Sequence, residues 1–167
     1  MAKRLIIVRH GKSDQVQHGL SDFERILNHR GNKNAHEMAE RMSAKDIAPE
    51  LLVSSPASRA ISTAKHFADV YNIPYGKIQQ ELSIYEANTT ALLNVVNKLN
   101  NNYAVAALFG HNPGVTEFVN YLADANIYNL PTASVSMIEF PFDDWSLVSR
   151  QTGSLSLFDY PKNPENH

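Results

Sequence analysis

The sequence predicts an α/β fold: a three-layer α/β/α sandwich whose mostly parallel sheet carries an antiparallel C-terminal edge. Three observations carry that reading. Short apolar runs alternate with amphipathic helical stripes as far as residue 123, the pattern of strands buried on both faces beneath covering helices. Beyond Pro131 the apolar period changes from helical to two, as in an antiparallel pair. The length, 167 residues with 43 % hydrophobic content, suits one ordinary globular domain and is too short for two good cores. One domain is expected over 1–160, with a disordered tail over 161–167.

Each element has its own signal. Leu5, Ile6, Ile7 and Val8 form a short β-branched run ending in charge and glycine, the mark of a fully buried strand. Residues 11–30 are polar and interrupted by Gly11 and Gly19, so a long loop is expected there. Ala35, Met38, Ala39 and Met42 recur at helical spacing, which predicts a helix over 32–44. A second strand over 51–54 leads into Ser55 and Pro56, read as an N-cap and first helical residue. The helix beyond them places Ala60, Ala64, Phe67, Ala68 and Tyr71 on one face and stops at Pro74 and Gly76. A short strand over 78–82 precedes a helix carrying Leu92, Val95, Val96 and Leu99. The strongest strand signal, 103–109, turns through Gly110, His111, Asn112, Pro113 and Gly114 into a helix with Val115, Phe118, Val119 and Leu122 in register. Segments 134–140 and 145–158 alternate in character and form the expected antiparallel pair, with a turn at Asp143 and Asp144.

Composition removes several function classes. Fifteen Lys and Arg against seventeen Asp and Glu give a formal charge of −2, so there is no general electrostatic drive toward nucleic acid or anionic membrane. The chain has no cysteine, which excludes disulfides, thiolate metal sites and cysteine nucleophiles. Its longest apolar run has seven residues, 103–109, against the ~20 of a membrane helix. Leu5 to Val8 is too short for a signal-peptide core. A cytoplasmic protein is expected.

Ligands in open α/β sheets gather at the carboxyl ends of strands. Three of those ends here carry unusual residues: Arg9, His10 and Gly11 after the first strand, Ser55 to Arg59 after the second, and Gly110 and His111 after the fourth. Two arginines and two histidines thus converge on one sheet edge from separate segments. Guanidinium forks suit tetrahedral oxyanions because each donates two nearly parallel charge-assisted hydrogen bonds. Helix N-termini near 56 and 113 would add partial positive charge at the same edge.

With those residues in place, the sequence resembles the histidine phosphatase superfamily, the phosphoglycerate-mutase-like fold marked by Arg-His-Gly after its first strand. The order Arg9, His10, Gly11, Lys12, Ser13, then Asp22, Phe23, Glu24, Arg25, Ile26, Leu27 and Gly31, is similar to the branch of small bacterial phosphohistidine phosphatases of the SixA type. The block from Ser54 to Ala60 with Thr63, and the block from Gly110 to Gly114, resemble its other two motifs, so the likeness covers residues 4 to about 123. The resemblance implies a phosphatase with His10 as nucleophile, attacking phosphorus through a neutral imidazole to give a phosphohistidine. Arg9, Arg59 and His111 would surround the transferring group, with no metal or other cofactor required. A hydrogen bond from the other ring nitrogen of His10 to a backbone carbonyl would fix its tautomer.

Asn112 directly follows His111 and cannot serve as the general acid that much of the superfamily places there. Glu86 is the expected acid in its stead, with a surface or capping charge as the alternative. Arg25 and Ser13 are expected phosphate-binding residues at the rim, with Lys12 beside them. The expected substrate is phosphohistidine on a protein, such as a histidine-containing phosphotransfer domain, with a small phosphomonoester as the alternative. A different class, a phosphate-binding pseudoenzyme, is disfavoured because binding alone requires no nucleophile. No nucleic-acid or membrane partner is expected.

Overall fold

The computed structural model describes residues 2–164. Six strands, β1 (Lys3–Arg9), β2 (Leu51–Ser54), β3 (Gln79–Gln80), β4 (Val105–Gly110), β5 (Val135–Phe140) and β6 (Ser154–Asp159), form one mixed sheet in the order β3-β2-β4-β1-β5-β6. The four strands from β3 to β1 are parallel, and β5 runs antiparallel to both its neighbours. Helices α1 (His29–Ala44), α2 (Ser58–Tyr71), α3 (Thr89–Asn97) and α4 (Gly114–Ala123) complete the described α elements.

The strand sequences explain the layering. Side chains alternate across a pleated strand, so Leu5 and Ile7 of β1 join Val53, Ala106 and Leu108 beneath α3 and α4. Ile6 and Val8 join Leu52, Ala107 and Phe109 beneath α1 and α2. Both faces are covered, as the unbroken apolar runs require. Among the described residues no helix is long and apolar enough to cross a membrane.

Four elements depart most from the sequence reading. Helix α1 starts at His29 rather than Asn32, because the Asn28 side chain accepts from the Gly31 N–H and caps it earlier. Helix α2 starts at Ser58, with Ala57 in the cap position. The Ser55 hydroxyl is committed elsewhere, to the Ala57 N–H and to His111. The strand expected over 78–82 shrinks to two residues. The segment expected over 145–158 is a strand only from Ser154. Its first part turns inward on Trp145, whose indole N–H donates to the Tyr103 carbonyl at 3.0 Å, while the Asn97 amide donates to the Trp145 and Val148 carbonyls. Those backbone groups are satisfied off the sheet, so no ladder forms there.

The C-terminal turn is held in place as far as residue 164. Arg41 donates to the carbonyls of Tyr160 and Pro161, and the Asn163 amide donates to the buried Asp159 carboxylate. The rest of the expected tail, 165–167, lies outside the described residues.

Candidate active site

The sheet order sets β2, β4 and β1 side by side, with Arg9 in register with Gly110 and Ser54 with Phe109. The residues following each strand therefore meet at one edge. His10 and His111 stand with ring centroids 5.2 Å apart. They line a cavity of about 450 Å³ together with Arg9, Arg59, Arg25, Ser13 and Lys12. Six of the seven site residues expected from sequence, with Lys12, thus come together. Glu86 does not: it is exposed at a left-handed φ of 54° and is not among the residues lining the cavity.

His10 is buried, and its Nδ1 lies 2.7 Å from the Gly11 carbonyl oxygen. A carbonyl only accepts, so Nδ1 carries the proton and Nε2 of the neutral ring holds a lone pair. Burial pushes the His10 pKa down to about 3, aided by the positive charge of Arg59 and Arg9 and by His111; the Gly11 carbonyl opposes this but does not win. The turn after His10 is tight. A Cβ on Gly11 would stand 2.7 Å from the Gly31 carbonyl oxygen, and one on Gly31 would strike the Lys12 carbonyl. Thr63 fastens the turn to α2: its hydroxyl accepts from the Gly11 N–H at 3.0 Å and donates to the Arg59 carbonyl at 2.8 Å.

His111 has the same tautomer, fixed from the other ring nitrogen. Its Nε2 is 2.9 Å from the Ser55 hydroxyl oxygen, which also accepts from the Ala57 N–H. The hydroxyl proton of Ser55 is then best used on Nε2, which leaves the proton of His111 on Nδ1. That Nδ1, with the Nε groups of Arg9 and Arg59, is buried without a partner in the protein. Three unpaired buried donors cost ~1–3 kcal/mol each, an arrangement that an oxyanion would satisfy. Burial also lowers the His111 pKa to about 4, with Arg59 as the next cause.

The arginines are braced rather than free. Arg9 donates to the Leu130 carbonyl at 2.6 Å. Arg59 donates to the Asp22 carbonyl at 2.7 Å and to its carboxylate at 3.2 Å. Arg25 donates to the other carboxylate oxygen of Asp22 and to the Ser13 hydroxyl. The Tyr85 hydroxyl donates to Asp22 at 2.6 Å, and its ring meets His111 edge-on. The Tyr85 hydrogen bond, then Arg25 and Arg59, hold the Asp22 pKa down at about 2, so Asp22 is an ionised brace and not a proton donor. Sequence reasoning left Asp22, Ser55 and Tyr85 out of the site. Asp22 stands in a quoted motif, but its contacts with Arg59 and Tyr85 span 37 and 63 residues, and no local pattern reveals them. Among the described residues, no group of three or more His, Asp or Glu could hold a metal ion.

The two buried imidazoles predict a pH dependence of stability. Unfolded chains protonate histidine below about 6.5, while these rings stay neutral until about 3 and 4. In that window the unfolded state binds more protons, so stability falls as pH drops from about 6.5 toward 4. Each pH unit removes up to ~1.4 kcal/mol per group. Denaturant midpoints between pH 7 and 4 should fall less steeply in a His10→Gln/His111→Gln variant than in the unsubstituted protein. Parallel curves would contradict buried neutral rings.

The family model of the histidine phosphatase superfamily, branch 1, matches residues 5–88, which contain the first two strand-end motifs. A curated relative, an uncharacterised chloroplastic protein of Arabidopsis thaliana, is 26 % identical over 156 residues, covering 87 % of this chain and 70 % of that protein. Among solved structures, the SixA protein of Agrobacterium tumefaciens superposes with a TM-score of 0.80 at 22 % identity, over 96 % of this chain and 99 % of that one. The protein histidine phosphatase SixA complexed with tungstate matches with a TM-score of 0.80 at 20 % identity, over 95 % and 97 %. A mycobacterial glucosyl-3-phosphoglycerate phosphatase complexed with VO3 matches at 0.73 and 15 % identity, over 95 % and 100 %. These structures share the phosphoglycerate-mutase-like fold.

Proposed function

The chain belongs to branch 1 of the histidine phosphatase superfamily, and from that premise we propose that it removes a phosphoryl group from a protein phosphohistidine through a covalent intermediate on His10. The observation that carries the proposal is the neutral, oriented imidazole of His10 facing three buried, unpaired donors. Nε2 attacks phosphorus, a new N–P bond forms, and the bond to the leaving group breaks with its electron pair departing on that group. Water then attacks the phosphohistidine; the pair returns to Nε2 as phosphate leaves and a proton passes to solvent. Arg9, Arg59 and the Nδ1–H of His111 offset the charge on the equatorial oxygens through both steps. Arg25 and Ser13 line the same cavity at its rim, Arg25 tethered by Asp22 and Ser13 by the Ile26 carbonyl.

A phosphoramidate suits a site from which Glu86 is absent and whose nearby carboxylates are Asp14 on the cavity wall and the ionised brace Asp22. Its leaving imidazole departs readily once protonated or hydrogen-bonded, whereas an alkoxide requires a proton from the protein. The exposed position of Glu86 therefore favours N–P over alkyl O–P substrates. The test sets a phosphorylated histidine-containing phosphotransfer domain against a panel of sugar and glycerol phosphates, with Glu86→Gln beside the unsubstituted protein. The phosphodomain should be preferred, with rates on it and on p-nitrophenyl phosphate within about twofold after Glu86→Gln. Preference for a metabolite would replace the substrate reading, and a strong loss on alkyl phosphates alone would make Glu86 the acid.

The cage is built from arginine and histidine with no carboxylate cluster, so we expect turnover to survive exhaustive EDTA treatment. Vanadate and tungstate, as oxyanions suited to the same donors, should compete with substrate. Activity restored only by added Mg²⁺, Mn²⁺ or Zn²⁺ would overturn the metal-free mechanism.

A further inference from the structure

A second cavity, about 310 Å³, opens beside the catalytic one and shares Lys12 and Thr132 with it. Its charged lining residues are Lys12, Arg30 and Lys162, without a single carboxylate, although acids outnumber bases in the chain as a whole. Two features of the fold build this wall. The close approach of Gly31 to the Lys12 carbonyl locks the first turn of α1 onto the loop after β1, which sets Arg30 beside Lys12. On the other side Arg41, itself paired with Glu37 and Asp159, grips the Tyr160 and Pro161 carbonyls and so delivers Lys162 to the mouth. Three cations gathered without acids repel one another, and an anion between them relieves that repulsion.

We propose that this cleft is a second anion subsite, which holds a carboxylate or phosphate carried by the same molecule whose phosphoryl group enters the His10 cavity. It rests on the phosphatase reading and adds a specificity to it: substrates bearing a second negative group next to the phosphoryl group are selected over those with one. Acidic residues flanking a phosphohistidine would supply the carboxylate; a small bisphosphate would supply the second phosphate.

The test is a ratio of kcat/KM values in an Arg30→Gln/Lys162→Gln variant, since both side chains are exposed and stand outside the lining of the His10 cavity. One pair of substrates is an N-phosphohistidine peptide flanked by Glu and its Gln-flanked twin; the other is fructose 1,6-bisphosphate and p-nitrophenyl phosphate. Two partly exposed charge contacts should together lower one of these ratios roughly five- to tenfold, and less at high salt. A fall in the peptide ratio assigns a protein carboxylate, and a fall in the other assigns a small bisphosphate. Both ratios staying within about twofold would overturn the subsite. The same ratios measured as dissociation constants in a His10→Ala background need no turnover. An unsubstituted protein that hydrolyses nothing would sink the phosphatase reading, while the binding ratios would still decide the cleft.

Discussion

Replacing His10 with alanine is expected to lower kcat on every substrate by on the order of 10⁴-fold or more, the scale seen when a covalent nucleophile is removed. The size follows from what this ring does alone. Its Nδ1 is bound to the Gly11 carbonyl and its Nε2 is the imidazole nitrogen left with a lone pair; the proton of His111 is expected on Nδ1, with Nε2 turned to Ser55. No neighbouring side chain can take over the attack. Far-UV circular dichroism and thermal unfolding serve as controls, and the loss of stability between pH 7 and pH 5 should be shallower in the variant, because a ring that binds a proton there only when unfolded has gone. Residual activity within about tenfold of the unsubstituted protein would mean that water attacks directly.

The second large effect is expected at Arg59. Arg59→Ala should lower kcat/KM by roughly 10²–10³-fold, comparable to the loss of an oxyanion-hole donor, and by similar factors on phosphohistidine, p-nitrophenyl phosphate and alkyl phosphates. The equality matters as much as the size. A group that touches the transferring phosphoryl acts whatever the leaving group, whereas one that touches the leaving group does not. Arg59→Lys should recover little, since Asp22 engages two separate nitrogens of the guanidinium while the buried Nε remains available, a geometry that an ammonium cannot reproduce. Losses confined to one substrate class would move Arg59 from the phosphoryl site to substrate recognition.

Much of this site could be read from sequence because its chemistry sits directly after strands. Leu5 to Val8 and the run ending at Phe109 are apolar enough to announce buried strands, and a parallel sheet brings their carboxyl ends to one edge. Arg9, His10, Arg59 and His111 then follow from position alone. What escaped depends on contacts distant in sequence. Asp22 looks like an ordinary loop acid until Arg25, Arg59 and Tyr85 converge on it, and Ser55 looks like a helix cap until His111 arrives from β4. Glu86 was a reasonable expectation from order along the chain, yet the residue after Tyr85 turns outward while Tyr85 turns in. The segment 145–153 alternated like a strand but was claimed by Trp145 and the Asn97 amide, a tertiary competition that period alone does not register. The turn at 161–164 has tail-like composition, and the half-buried Arg41 and buried Asp159 explain why it packs.

The covalent step at His10 is tested most directly by rapid quench with ³²P-labelled substrate followed by peptide mapping. The label should appear within one turnover on the peptide that contains His10, stable to alkali and lost in acid, as a phosphoramidate is, and it should be absent from the His10→Ala protein. Label on a serine or on His111, or full turnover with no labelled protein at any quench time, would contradict the mechanism.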